Sequence, residues 1–206
     1  EPDEAGRLLI TEARRRSPKW GAHLSPSDQQ SLNEIARFMQ GHPLAIKLTA
    51  ALMASRSLAS IWDELRRNPP QEVWDRFYIS FRSLTDRQRE LFLRLAVFSG
   101  SMTEEAIGSI CIEGDKNGNW NWQNDLGELV RRSFLDLIEI EAQDESGNEI
   151  TLYRYRLHPL IRQYAIAKAG VAVQTYLSRA AHFFLKFAKS NPSFHTLEHE
   201  HENIMA

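Results

Sequence analysis

The side chains whose types and spacing could do chemistry are mostly histidines, and they fall in three places. His195-Thr196-Leu197-Glu198-His199 matches H-x-x-E-H, in which two imidazoles one helical turn apart bind zinc while the Glu acts as base. Only Glu200 and Glu202 follow as further ligands, so the stretch reads as a solvated polar face and no metal site is assigned. His158 precedes Pro159 at the start of a helix, where free N–H groups attract an anion and an imidazole adds a donor; the plainer reading is a capping residue. Gly41-His42-Pro43 stands between two helical stretches. Read alone it is a turn, although a proline ring exposed at such a corner offers a flat apolar surface to a purine.

Other chemistry is excluded or weakly supported. No G-x-x-x-x-G-K-[ST] phosphate loop, no apolar strand ending in paired acids and no G-x-S-x-G is present, so no catalytic residue is assigned and the chain is not read as an enzyme. The single cysteine, Cys111, lies in an apolar helical stretch and reads as a small core residue. Arg131 and Arg132 are the candidate nucleic-acid contacts, offset by Asp125 and Glu128. Trp120 and Trp122 could stack on bases but read more plainly as core. A net charge of −2 lacks the basic excess of a nucleic-acid binder.

These residues are positioned by helices. At 206 residues, with 42% hydrophobic and 25% charged residues, the composition is that of a globular chain of one large domain or two small ones. No membrane-length apolar run and no signal peptide occur, and a cytoplasmic location is expected. Both ends, Glu1 without an initiator Met and Ala206, are expected to be cuts from a longer protein. Helices are predicted over residues 3 to 16, from Ser25-Pro26-Ser27-Asp28 through Met39, from Pro43 along Leu44, Leu48 and Leu52, and over residues 58 to 67. The first of the corner's helices should stop at Gly41 in a left-handed cap. Pro69-Pro70 is read as a domain boundary.

A second block follows from Gln71. Its first helix carries Val73, Trp74, Phe77 and Phe81. The next two start at Thr85-Asp86 and Thr103, and a fourth spans residues 121 to 133. The period then changes to two, predicting strands over Leu137 to Glu141 and Ile150 to Leu157, with Glu139 and Glu141 within pairing reach of Arg154 and Arg156 depending on register. Helices followed by a β-hairpin describe a winged helix. After His158-Pro159 the chain is helical to Gly170 and again from Val171, through Tyr176, Ala180, Phe183, Phe184 and Phe187. Ser193 to Ala206 should start another helix. The expected fold is mainly α: a small helical bundle over 1–69, a winged-helix domain with a β-hairpin wing over 70–169, and a helical connector over 170–206.

The order of these pieces resembles the NB-ARC domains of STAND-class ATPases over residues 1 to about 169. Gly41-His42-Pro43-Leu44-Ala45 is similar to the G-x-P-L-A motif of that family. Ser80-Phe81-Arg82-Ser83-Leu84 and Leu95 to Gly100 look like the start of its winged-helix domain, Leu129 to Leu135 its L-x-x-(R/K)-S-L-L stretch, and Leu157-His158-Pro159-Leu160-Ile161-Arg162 its M-H-D motif. The tail resembles the connector leading into tetratricopeptide-like repeats in bacterial members.

The resemblance implies that Gly41, His42 and Pro43 lie at the adenine of a bound nucleotide and that His158 senses the β-phosphate of ADP. ADP or ATP with Mg²⁺ would be held only in an intact protein, with a preceding nucleotide-binding domain and a C-terminal repeat sensor as partners and self-association on activation. Leu157 and Pro159 replace the family's Met and Asp, which leaves open how His158 is held. The alternatives are a DNA-binding winged-helix regulator and a protein-interaction scaffold; DNA and membrane are not expected partners.

Overall fold

The computed structural model describes residues 4–18, 20–21, 23–39, 42–67, 75–112, 120–143, 148–191 and 197–206. The chain forms two compact units, Glu1–Thr85 and Asp86–Ala206.

The first unit is a helical bundle of α1 (Glu4–Arg16), α2 (Pro26–Phe38), α3 (Pro43–Leu52), α4 (Leu58–Arg67) and α5 (Asp75–Arg82). Ser25 opens α2 with a reciprocal capping box to Asp28, as its sequence dictates. Helix α3 is the centre: α1 and α5 pack on it, while α4 packs on α2. Its burial is not confined to the stripe Leu44, Leu48, Leu52, since Ala45, Ile46, Thr49 and Ala50 are also shut away. A helix apolar nearly all round is a core helix. Thr49 satisfies its hydroxyl within that core on the Met39 sulfur, at 3.6 Å.

Helix α5 belongs to this unit and not, as its place after Pro69-Pro70 predicts, to the winged helix. The reason is its apolar face: Phe77 and Ile79 are buried, and α5 packs on α3. Pro69, Pro70, Val73 and Trp74 lie outside the described residues.

The second unit carries the winged helix. Helix α6 (Asp86–Leu95) is followed by α7 (Glu104–Ile107), which widens into a π-turn over Gly108–Ile112, and by α8 (Trp122–Arg131). Thr103 Oγ1 and Asn121 Oδ1 cap α7 and α8. A Schellman closure ends α8. Ser133, at φ 64°, lets its own N–H reach Val130 O and the Phe134 N–H reach Leu129 O, each at 2.9 Å. That turn delivers the chain into β1 (Asp136–Gln143), antiparallel to β2 (Glu149–Arg156), and Met102 bridges to Tyr155 on the far edge of β2.

The register decides the wing's charges. Glu139 faces Tyr153 and Glu141 faces Thr151, whereas Arg154 faces Ile138 and Arg156 faces Asp136. Side chains alternate between faces, so both glutamates lie on the opposite face from both arginines, and the anticipated cross-strand ion pairs do not form.

Helix α9 (Pro159–Ala169) buries Ile161, Tyr164 and Ala165 and ends at Gly170, whose φ of 54° suits glycine. Helix α10 (Val173–Ser190) then packs on α6 and on the π-turn, with Phe98 and Phe184 edge to face at 6.1 Å. The last segment closes as a single turn, His201–Ile204. Both α10 and this turn fall in the same compact unit as the winged helix, although the sequence sets residues 170–206 apart as a connector.

Candidate functional site

His42 and His158 do the same local work in the two units. His42 precedes α3 in extended conformation (φ −71°, ψ 109°), and its Nδ1 accepts the Ala45 N–H at 3.4 Å. His158 precedes α9 in nearly the same conformation (φ −61°, ψ 137°), and its Nδ1 accepts the Leu160 N–H at 3.2 Å. Each is followed by proline at the first helical position, where the missing N–H costs nothing. An imidazole accepting through Nδ1 carries its proton on Nε2 when neutral.

The surroundings differ. The His42 ring is half-buried and meets the buried Phe77 ring edge to face at 5.9 Å, while Pro43 is exposed. His158 and Pro159 are exposed. Gly41 lies outside the described residues; the cap geometry of α2 is instead made by Met39, in ordinary right-handed conformation.

With Pro159 in place of an acid, the cap from Nδ1 to the Leu160 N–H is one contact that holds the His158 side chain. It also trims the helix N-terminus as an anion site, because Pro159 has no N–H and the Leu160 N–H is engaged. Arg162 does not serve that end. Its Nε donates to Ala96 O at 2.9 Å and its Nη2 to Ser99 Oγ at 3.1 Å, and burial pulls its pKa below the usual guanidinium value.

The surface available to nucleic acid is α8 and the wing. Helix α8 exposes Gln123, Asn124, Gly127 and Arg131. Arg131 holds Glu128 with a two-pronged contact, Nε at 2.9 Å and Nη2 at 2.5 Å, and Arg132 Nε reaches the same carboxylate at 3.3 Å. Those contacts keep the Glu128 carboxyl below its usual range, with Arg131 foremost, and hold Arg131 above its own. Glu128 meets both arginines. Asp125, expected to share that task, is buried and accepts from Trp120 Nε1 at 2.7 Å and from Gln88 at 3.2 Å.

Trp120 is half-buried and its ring lies against the Arg94 guanidinium at 5.1 Å. The wing exposes Glu139, Glu141 and Glu149. With thirteen Lys and Arg against seventeen Asp and Glu, residues 86–206 have a net charge of −4, which opposes phosphate contacts.

Other candidates separate as follows. Cys111 is buried and its thiol is pushed up to about 12, chiefly by desolvation, so it is inert. Of H-x-x-E-H, His195 and Thr196 lie outside the described residues, and Glu198 is exposed. Among the described residues no group of three His, Cys, Asp or Glu side chains comes together as a metal site, and no helix is long and apolar enough to cross a membrane.

One buried polar cluster among the described residues is signalled by no local pattern. Arg154 Nη2 donates to Glu200 Oε1 at 2.6 Å, with both side chains almost wholly buried, and Asn203 ties the same turn to the loop at Ser99 to Ser101. Its partners are drawn from three distant parts of the sequence.

No family model matches the chain. The mycobacterial proteins named "Putative HTH-type transcriptional regulator Mb0914c" (Mycobacterium bovis) and "Putative HTH-type transcriptional regulator Rv0890c" (Mycobacterium tuberculosis) are each 30% identical to it over 181 residues, covering 82% of this chain and 19% of their own length. "Disease resistance protein RPP2A" of Arabidopsis thaliana is 24% identical over 111 residues, covering 52% of this chain and 8% of its own. The chain thus spans about a fifth of the length of the mycobacterial relatives.

Proposed function

We propose that this chain is a regulatory module of a larger signalling protein, and that it senses nucleotide state instead of catalysing a reaction. In this reading Gly41, His42 and Pro43 serve the adenine of ADP and His158 its β-phosphate in a closed, ADP-bound form of the longer protein. The observation that carries it is the matched pair of caps: each sequence H-P-L opens a helix with Nδ1 fixed on its own backbone. That fixing orients the ring and assigns the neutral proton to Nε2, the tautomer that donates to a phosphate oxygen.

The exposed Pro43 ring suits an apolar contact, and both features fit a nucleotide held mainly by another domain. ADP or ATP with Mg²⁺ is assigned to that preceding domain of an intact, cytoplasmic ATPase of the NB-ARC class, with a C-terminal repeat sensor as the other partner and assembly on activation. Likeness to both a bacterial regulator and a plant resistance protein supports a module shared by different outputs. The test is co-purified nucleotide in the longer protein: His158→Ala should lower retained ADP, and unchanged retention would remove His158 from the site.

A second reading, a DNA-binding winged helix, is favoured by the mycobacterial names, which speak for transcription more directly than for nucleotide sensing. The Gln123, Asn124 and Arg131 side chains on α8 are of types that read base edges. Against it stand the neutralised arginines and the acidic wing. Fluorescence anisotropy with duplex DNA at low and moderate salt decides the matter: salt-sensitive binding that is lost on reversing Arg131 and Arg132 would make DNA the partner.

A further inference from the structure

The C-terminal turn is held to the base of the wing in an unusual way. Its most buried residues are polar: Glu200 is 4% exposed and Asn203 is 9% exposed, while Met205 is 72% exposed. Every polar group of these two side chains is engaged or shared. Asn203 Oδ1 accepts the N–H groups of Ser99 (3.0 Å) and Gly100 (2.9 Å), and its Nδ2 donates to Ser101 O (2.7 Å) and to Glu200 Oε2 (2.9 Å). The other Glu200 oxygen takes Arg154 Nη2 at 2.6 Å, and Arg154 returns to the loop through Ser101 Oγ (2.7 Å) and Ser101 O (3.0 Å). The ring of contacts closes on itself.

Gly100 completes the fit. A Cβ there would stand 2.7 Å from Glu202 Oε2 and 2.8 Å from Glu202 Cβ, so the turn is seated where only glycine leaves room. The first of those atoms ends a flexible chain and could move aside, but the second is fixed to the turn's backbone.

We propose that the Ser99–Ser101 loop and Arg154 form a recognition socket for the turn Glu200–Ile204, and that this turn is a latch that opens and closes as one unit. Two physical features give it that behaviour. A buried polar network is stable only when fully satisfied, so losing one member exposes the rest. And because none of the turn's apolar side chains is fully buried, releasing it leaves the helical core of the unit intact. The closed latch fixes the C-terminal segment to β2, the strand that ends just before His158. It stands whether or not His158 meets a nucleotide.

Amide hydrogen exchange on the full chain tests it, comparing the natural sequence with Glu200→Ala and Gly100→Ala. Glu200 touches neither the Ser99 nor the Gly100 N–H, yet Glu200→Ala should speed exchange at both by about tenfold or more, together with the amides of the turn. Gly100→Ala removes no polar partner and should release Ser99 and the turn in the same way, which guards against loss of Arg154's partner unfolding the unit. In Gly100→Ala the amides of α6 should keep their natural rates, and in Glu200→Ala, which strands the buried Arg154, they should quicken less than those of Ser99, Gly100 and the turn. Unchanged Ser99 and Gly100 exchange in Glu200→Ala would show independent contacts and overturn the latch. Acceleration of α6 by the same factor in both variants would show that the turn belongs to the global fold, and would overturn it equally.

Discussion

Arg154 and Glu200 form an ion pair whose side chains are 3% and 6% exposed, between the second wing strand and the last turn of the chain. A buried pair costs heavily when one partner is lost, because the other keeps its desolvation penalty without its attraction; losing both is far milder. Arg154→Met should therefore lower the unfolding free energy by about 3 kcal/mol or more. Arg154→Met combined with Glu200→Leu should recover most of that loss. Urea unfolding followed by circular dichroism gives all three values. A double variant less stable than Arg154→Met would mean that the pair is not the unit that matters.

The caps at His42 and His158 separate structure from function. Removing a side-chain cap costs about 1 kcal/mol, whereas Asn can accept the same N–H. His158→Ala should lose about that much stability and His158→Asn little. If the imidazole also meets a phosphate through Nε2, both variants should lose nucleotide in the longer protein to a similar degree. Stability by thermal unfolding and bound nucleotide by chromatography report the two effects separately. Retention that follows stability would reduce His158 to a cap.

Local signals made much of this fold legible. Ser25 with Asp28, Thr103 before α7, and proline after each histidine start helices for reasons contained within a few residues. The change to alternation after α8 likewise marks the hairpin. What the sequence left undetermined depends on distance or register. The glutamates of β1 could have met Arg154 and Arg156 until the register put them on opposite faces. Helix α5 follows a proline pair that reads as a boundary, and only the burial of Phe77 beside α3 assigns it to the bundle. The Arg154–Glu200–Asn203 cluster joins residues 46 and more than 100 positions apart, so no spacing rule could announce it.

Ser133 is the one residue other than glycine, among those described, with positive φ, at 64°. Left-handed backbone costs an L-residue about 1 kcal/mol, and more when the side chain is β-branched. Ser133→Val should destabilise the second unit by about 1–2 kcal/mol, since the Schellman bonds from Ser133 and Phe134 force the conformation. Ser133→Gly removes the strain and should sit clearly above the valine variant in denaturant midpoint. Equal midpoints would mean that the turn can close in another way.

Tyr155 gives the second unit an alkaline limit. Burial, aided by a 2.9 Å hydrogen bond from its hydroxyl to Glu104, raises its pKa from 10.0 to about 12. Between those values the unfolded chain releases the phenolic proton while the folded chain retains it. The unfolded state thus binds fewer protons, and stability falls as pH rises. The contribution is fully present below pH 10 and is lost as pH passes through about 12. Tyr155→Phe removes this titration along with the bond to Glu104, so it should be less stable at neutral pH but decline more gently above pH 10. Thermal unfolding at stepped alkaline pH, with tyrosinate absorbance recorded alongside, measures both slopes. Parallel declines in the two proteins would show that Tyr155 ionises no later in the folded chain than in the unfolded one.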